Sequence, residues 1–475
     1  MSRVRGRRRQ RREARRLVRI GTSDPTLTPN AGLIAITELV DRVGVTTALD
    51  AGIGPVKRRD RGMTGGELLV SLASCQMAGG DHLVSLDRLR ADTAGQELVC
   101  SPTPASTTAA GVAGRFNPGH LAGIEAGIAV LHQRVLHRVG QVRRTSLLRE
   151  VTLDVDATDV EVYRRSKRGC AYNYQGQRAY RLDIVFWAEL GVPVAADLLS
   201  GNDDPRASAV GLLRRGLAGL PEGVGKVRVR MDAGYFAGEI ARECLFRGIQ
   251  FAIGAKRNQA VWRAATTIPD HAWVPAIGME HAEVAVCDYV PDWWPADTVC
   301  LVRRVRIPVE AVSADPRARR RRTIRKDQLA LALEGKLDYV YGYSFILTNL
   351  DVSTEEKIAE VEWWYRHRTD IEALNRDSKH GAALRHMPSG DQVVNTVWMW
   401  AALLATAISA WLQELTGIDR GNGRGRRSIT RLRRELFCVP ARVVHHARRI
   451  ELRLPPGPQL LTIVLTRLRA LPALA

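Results

Sequence analysis

Three segments of the chain bring carboxylates and cations together at spacings that could do chemistry. In Leu153-Asp-Val-Asp-Ala-Thr158, Asp154 and Asp156 stand two residues apart, so on a strand both point to one face. Such a pair is costly to bury unless it is matched or metal-bound; a solvent-facing strand edge is the plain alternative. In Val229-Arg-Met-Asp-Ala-Gly-Tyr-Phe236, an apolar strand runs into Asp232 and a glycine turn. Ligand-binding residues of open α/β sheets sit at such strand ends, although an Asp there also caps turns. The third segment, Trp363 to Lys379, carries Tyr365, Arg368, Glu372 and Lys379, which advance by 3, 4 and 7 residues. At about 100° per residue all four fall on one helix face. A solvated helix with i, i+4 pairs such as Arg368–Glu372 would explain the charges but not the ordered set.

Carboxylates drawn from separate elements are what hard cations require, because Mg²⁺ takes oxygen ligands. Two such ions about 4 Å apart can activate a water and stabilise the leaving oxygen of a phosphodiester. The charge balance points to the same class of substrate. Among 475 residues, 70 Lys+Arg stand against 50 Asp+Glu, for a net charge of +20. Most of the cations are Arg, whose planar fork suits phosphate oxygens, so a nucleic acid is the natural partner and a merely solvated basic surface the alternative. The seven cysteines are scattered, with no C-x-x-C and no paired His cluster. That argues against a zinc finger or a disulfide scaffold and fits a reducing cytosol. No P-loop is present, so no nucleotide cofactor is expected.

The elements that must position these residues change texture along the chain. The first twenty residues hold ten Arg and one Glu, and residues 1–24 read as a basic flexible arm. Residues 25–145 read as a helical domain, with Leu33, Ile36, Leu39, Val40 and Val43 on one face and further helices over Gly66–Met77 and His120–Leu136. From Val151 three strands, a helix, a strand, a helix and a strand follow, the order of a ribonuclease-H-like mixed sheet. The expected fold is therefore α/β: a ribonuclease-H-like catalytic core in two parts, 146–260 and 343–416, split by a β-rich insertion over 261–342. The insertion is expected to be a small subdomain, and it carries Trp293-Trp294 and the basic stretch Arg317–Arg325. The tryptophans are explained by local packing or by stacking on a base, the stretch by DNA contact or a solvated loop. Residues 354–379 read as one long helix. The uncharged segment Asn395–Gln413 reads as a buried helix rather than a membrane span, and 417–475 as a basic C-terminal region with a short basic helix at Ser428–Phe437.

The set Y-x2-R-x3-E-x6-K at Tyr365, Arg368, Glu372 and Lys379 resembles the DDE transposases of bacterial insertion sequences. The blocks around Asp156 and Asp232, and Phe345-Ile-Leu-Thr-Asn-Leu350, are similar to those of the insertion sequence 1380 group. The resemblance covers nearly the whole chain. It implies a Mg²⁺-dependent enzyme, with Mn²⁺ as a substitute, that cuts and joins inverted-repeat ends and acts as a homodimer on DNA in the cytoplasm. It makes Asp156, Asp232 and Glu372 the ligands of two metal ions. Arg368 and Lys379 would bind phosphates, and Tyr365 a phosphate or a displaced base; Trp293 and Trp294 would join them at the DNA. Asp154 competes with Asp156 for the first position, and Asp159 and Asp183 are more distant candidates. A catalytically inactive DNA-binding relative and a ribonuclease-H-like nuclease are the alternatives.

Overall fold

The computed structural model describes residues 18–472 apart from 19, 60, 316, 317, 319, 419–424, 448, 458 and 459. The basic arm up to residue 17, Arg317 and Arg319, and most of the Arg420–Arg427 link therefore lie outside the described residues.

Helices α1 (Ile34–Val43), α2 (Val45–Ile53), α3 (Gly65–Met77) and α4 (Pro118–Arg138) open the described chain. The apolar face anticipated on α1 is buried at Ile36, Leu39, Val40 and Val43. A capping box starts α3: Glu67 N donates to Thr64 Oγ1 at 3.1 Å and Thr64 N to Glu67 Oε2 at 2.8 Å. Helices α2 and α4 touch backbone to backbone, since a Cβ added at Gly123 would lie 2.3 Å from the Gly52 carbonyl oxygen.

The centre is a 10-stranded mixed sheet. Its strands are β1 (Glu150–Glu161), β2 (Ala171–Tyr172), β3 (Arg178–Trp187), β4 (Val192–Ser200), β5 (Lys226–Met231), β6 (Gln250–Gly254), β7 (Val274–Pro275), β8 (Ala282–Cys287), β9 (Val299–Pro308) and β10 (Tyr339–Thr348). Helix α5 (Pro205–Ala218) leads into β5, and α6 (Gly238–Phe246) joins β5 to β6. In space the order is β4-β3-β1-β5-β6-β10-β9-β8-β7, with β2 pairing the start of β3. Strands β1, β5 and β6 are parallel and the remaining pairings antiparallel. Val151, Leu153 and Val155 of β1 are fully buried, as the alternation anticipated.

Two differences from the sequence reading matter for the site. The last strand of the insertion and the core strand expected at Phe345 are one strand, β10, paired with β9 from Tyr339↔Pro308 to Thr348↔Val299. Gly342 punctuates the sequence there, but cross-strand pairing carries the strand through it. The insertion thus extends the main sheet rather than standing apart from it. The long helix expected over residues 354–379 is two helices, α7 (Glu355–Arg366) and α8 (Thr369–His380). At the joint, Arg368 N bonds Tyr365 O and Ile371 N bonds Arg368 O, both at 3.0 Å. These i→i−3 bonds tighten the turn and re-aim the second helix.

Helix α9 (Gln392–Thr416) is long and apolar enough to cross a membrane by composition, yet 89% of its most apolar window is buried inside the fold. The C-terminal hairpin, β11 (Ala441–His446) with β12 (Arg449–Arg453), pairs with Leu27–Thr28, and α10 (Leu460–Arg469) packs on α1. The expected basic helix at Ser428–Phe437 is a short α-turn, Ile429–Leu432, followed by a π-turn, Arg433–Phe437. One apolar cluster runs from α1 through the sheet to α10.

Candidate functional site

The register between β1 and β5 builds the site. Asp154 pairs with Arg230 and Val155 with Met231, the last pair of this ladder. One step further, Asp232 follows the last residue of β5 beside Asp156, which lies midway along β1, and the two parallel strands are about 4.8 Å apart. Arg230 grips Asp154 with two bonds, Nε–Oδ1 at 2.6 Å and Nη2–Oδ2 at 2.8 Å. It also donates to Trp364 O at 2.6 Å and lies 5.2 Å from that indole's centroid. Asp154 is fully buried in this pair, whereas the Asp156 side chain keeps 15% of its exposure.

Helix α8 lies across this end of β1. Asn375 Nδ2 donates to Asp156 Oδ2 at 2.8 Å, and Arg368 Nη1 donates to Asp156 Oδ1 at 3.2 Å. Lys379 Nζ donates to Thr158 Oγ1 at 2.6 Å and to Asp159 O at 2.8 Å. Glu372 is exposed on the same helix and, among the described residues, forms no ion pair. Burial pushes the Asp156 carboxyl up to about 6; Arg368 opposes this, while the charges of Asp232 and Glu372 add to it. Burial pushes Lys379 down, against Asp159 and Asp156. Asp156 thus feels the charge of both other acids. Among the described residues, however, no group of three or more His, Cys, Asp or Glu is gathered closely enough to hold a metal ion.

Asp232 is half-buried and caps its turn, accepting from Gly234 N at 2.8 Å. Tyr365, on α7, donates to Met231 O at 3.1 Å, so its hydroxyl is tied to the residue before Asp232. The turn at His367-Arg368 separates this tyrosine from Glu372 and Lys379, which share α8, with Arg368 at the α8 N-cap. Trp294 is buried and stacks on Phe236 at 5.0 Å, while Trp293 meets the same ring edge-on at 5.1 Å and stays half exposed. Both tryptophans therefore stand beside the turn that Asp232 opens. Asp159 is held by Arg181 Nε and Asn173 Nδ2, each at 2.9 Å. Asp183 lies opposite Ala157, hence on the other sheet face from Asp156, where Tyr235 donates to it; burial first, then nearby Asp197 and Asp156, raise it to about 7.

Two residues escaped the sequence reading. Asn375 is 6% exposed and its Oδ1 has no partner among the described residues. Its signal was there: it sits three residues after Glu372 and four before Lys379, on the same face. Gly254 ends β6 where a Cβ would lie 2.7 Å from Ala233 N and 2.8 Å from the Tyr365 hydroxyl. Only a glycine lets β6 approach the Asp232 turn this closely.

The family model for the transposase DDE domain, group 1, matches residues 10–473. Among solved structures, the chain aligns with a piggyBac transposase synaptic complex with hairpin DNA, determined by cryo-EM, at 10% identity and a TM-score of 0.38, covering 86% of this chain and 79% of that one. No curated protein matches.

Proposed function

The chain belongs to the transposase DDE domain group 1 family, and from that premise we propose that it cuts and joins the inverted-repeat DNA ends of an insertion sequence of the 1380 group. The observation that carries this reading is Asp156, midway along β1, standing beside Asp232 just past the end of parallel β5, faced by α8 with Glu372. The strand order β4-β3-β1-β5-β6, three antiparallel strands followed by two parallel to the first, supports a ribonuclease-H-like core.

The donor set suits hard divalent cations. It offers carboxylate oxygens whose mutual repulsion a cation would relieve, beside the unpartnered Oδ1 of buried Asn375. Asp156, Asp232 and Glu372 would hold two Mg²⁺ or Mn²⁺ ions, which when bound activate water and stabilise the leaving 3′-oxygen. Arg368 balances Asp156 in this structure; once released, its planar fork would take a phosphate, with Lys379 beside it as a point charge. Asn375 would keep the Asp156 carboxylate oriented meanwhile. Tyr365 would hold the end of β5, and through it the position of Asp232. Trp293 would offer a half-exposed ring for a base near that turn. We place the protein in the bacterial cytoplasm, working as a homodimer that joins two element ends.

The test uses duplexes carrying the terminal repeats that bracket the reading frame. With Mg²⁺, nicks at the repeat boundary are expected, and EDTA should abolish them. Binding without nicking would favour an inactive DNA-binding protein, and cleavage of the RNA strand of a hybrid would favour a nuclease.

A further inference from the structure

The connection from β1 to β3, residues 162–177, projects beyond the acids and has no part in the chemistry above. Its root is fixed. Arg168 N donates to Gly390 O and Lys167 Nζ to Ser389 O, both at 3.0 Å, and Arg178 Nη2 donates to Lys167 O at 2.9 Å. Its tip is a closed turn. Asn173 N donates to Gln177 O at 2.8 Å, while Asn173 Oδ1 accepts from Gln175 N at 3.0 Å and Gln177 N at 2.9 Å. Gly176 supplies the positive φ of 75° that the turn needs. Asn173 Nδ2 ties the whole turn to Asp159, three residues beyond Asp156.

On this stiff frame three tyrosines point outward. Tyr163 is 85% exposed, Tyr172 66% and Tyr174 84%. Tyrosines contribute most when their rings are covered, so three bare rings on one short, anchored segment present a surface for something flat. Four cations, Arg164, Arg165, Lys167 and Arg168, lie between Tyr163 and Tyr172. Two clefts flank the segment. One, of about 680 Å³, is lined by Tyr163, Arg164, Lys167, Lys379 and Arg385. The other, of about 770 Å³, is lined by Tyr174, Lys256 and five carboxylates including Asp232, with Arg181 paired to Asp159 and Arg206 to Asp204. Asp159 and Glu161 line both, so the connection is the wall between the two clefts; Asp232 opens into the second and Lys379 of α8 into the first.

We propose that residues 162–177 form a wedge that parts the two strands of DNA beside the cutting site. One strand enters each cleft, and the bases unpaired at the fork stack on Tyr163, Tyr172 and Tyr174. Arg164, Lys167 and Arg385 in the first cleft and Lys256 in the second hold the phosphates, and the rings accept any base because every base has a π-face. This inference rests on the DNA-cutting reading above.

The test compares the full chain on a forked duplex of mixed sequence and on a fully paired duplex of the same arms, by fluorescence anisotropy across a salt series. The wild type should prefer the fork. The variant Tyr163→Ala/Tyr172→Ala/Tyr174→Ala should lose about tenfold or more on the fork and leave paired-duplex binding unchanged. Its salt slope should not move, because no phosphate contact is removed. The triple Tyr→Phe variant should keep the fork preference, and all three proteins should melt alike. A wild type that binds both duplexes equally overturns the wedge alone, as does a fork preference that survives the alanines. A wild type that binds neither duplex overturns the DNA reading together with the wedge.

Discussion

Asp154 and Asp156 leave β1 on one face, two residues apart, and meet opposite neighbours. Across from Asp154 stands Arg230, a strand residue whose place is set by the parallel ladder. Beyond the last rung stands Asp232, a second carboxylate, and the charge of Asp156 is balanced instead by Arg368 at the α8 N-cap, with Asn375 of α8 donating a second bond. Burial pushes both acids up to about 6. What differs is the partner. The first acid is closed off by its own sheet, at 2.6 and 2.8 Å, on a fully buried pair. The second is held by Arg368 and Asn375, side chains of the joint between two helices and of the helix after it. Charge neutralised within a sheet serves the fold; like charges left facing each other where a neighbouring strand stops are what make Asp156 the candidate for chemistry.

The sharpest break of this comparison is Asp156→Ala. Cleavage of terminal-repeat DNA should fall by roughly 10³-fold or more, as expected when a group that supports a metal or a transition-state charge is removed. Stability should change by only about 1 kcal/mol, because relief from burying a charge offsets the lost bonds to Arg368 and Asn375. Single-turnover nicking and a denaturant melt on the same preparation read both quantities. Normal cleavage would return the first position to Asp154.

Asp154→Ala should do the reverse. It strands the Arg230 guanidinium in the interior, at an expected cost of about 3–5 kcal/mol. The double variant Asp154→Leu/Arg230→Met, which removes both charges, should recover most of that loss in the melt. An Asp154→Ala protein as stable as the wild type would mean that the buried pair does not hold the strands together.

These two acids also show how far the sequence could be read. Strand alternation put Asp154 and Asp156 on one face, and the glycine turn put Asp232 at a strand end; both follow from local periodicity. Which of the first two faces the site depends on the β1–β5 register. A parallel pairing is set by how the crossover packs, and nothing in either strand encodes it alone. The helix face carrying Arg368, Glu372 and Lys379 was legible for the same periodic reason. The bend that moves Tyr365 onto a separate helix was not, since His367 and Arg368 both keep helical dihedrals and no Pro or Gly marks the joint. The pairing of β11 with Leu27–Thr28 joins residues more than four hundred positions apart through two short strands. No pattern within either segment announces such a contact.

A smaller effect distinguishes the two acids by pH. The folded carboxyl of Asp156 sits at about 6, above the usual carboxylate range, so it is ionised at pH 7 and protonated as pH falls through 6. Cleavage should therefore decline below that point, approaching about tenfold per pH unit. Arg368 opposes the raised value, so Arg368→Gln should move the inflection to higher pH, whereas a change at Arg230 should leave it in place. The stability contribution of Asp156 has the other sign. A group whose folded pKa lies above its unfolded one favours the fold most fully below the unfolded value, and loses that contribution as pH rises through about 6. Over the window in which cleavage grows, Asp156 thus makes the protein slightly less stable, and Asp156→Asn should remove that component from the pH–melting curve. If the curve keeps its shape in the Asn variant, the raised carboxyl that limits cleavage belongs to another residue.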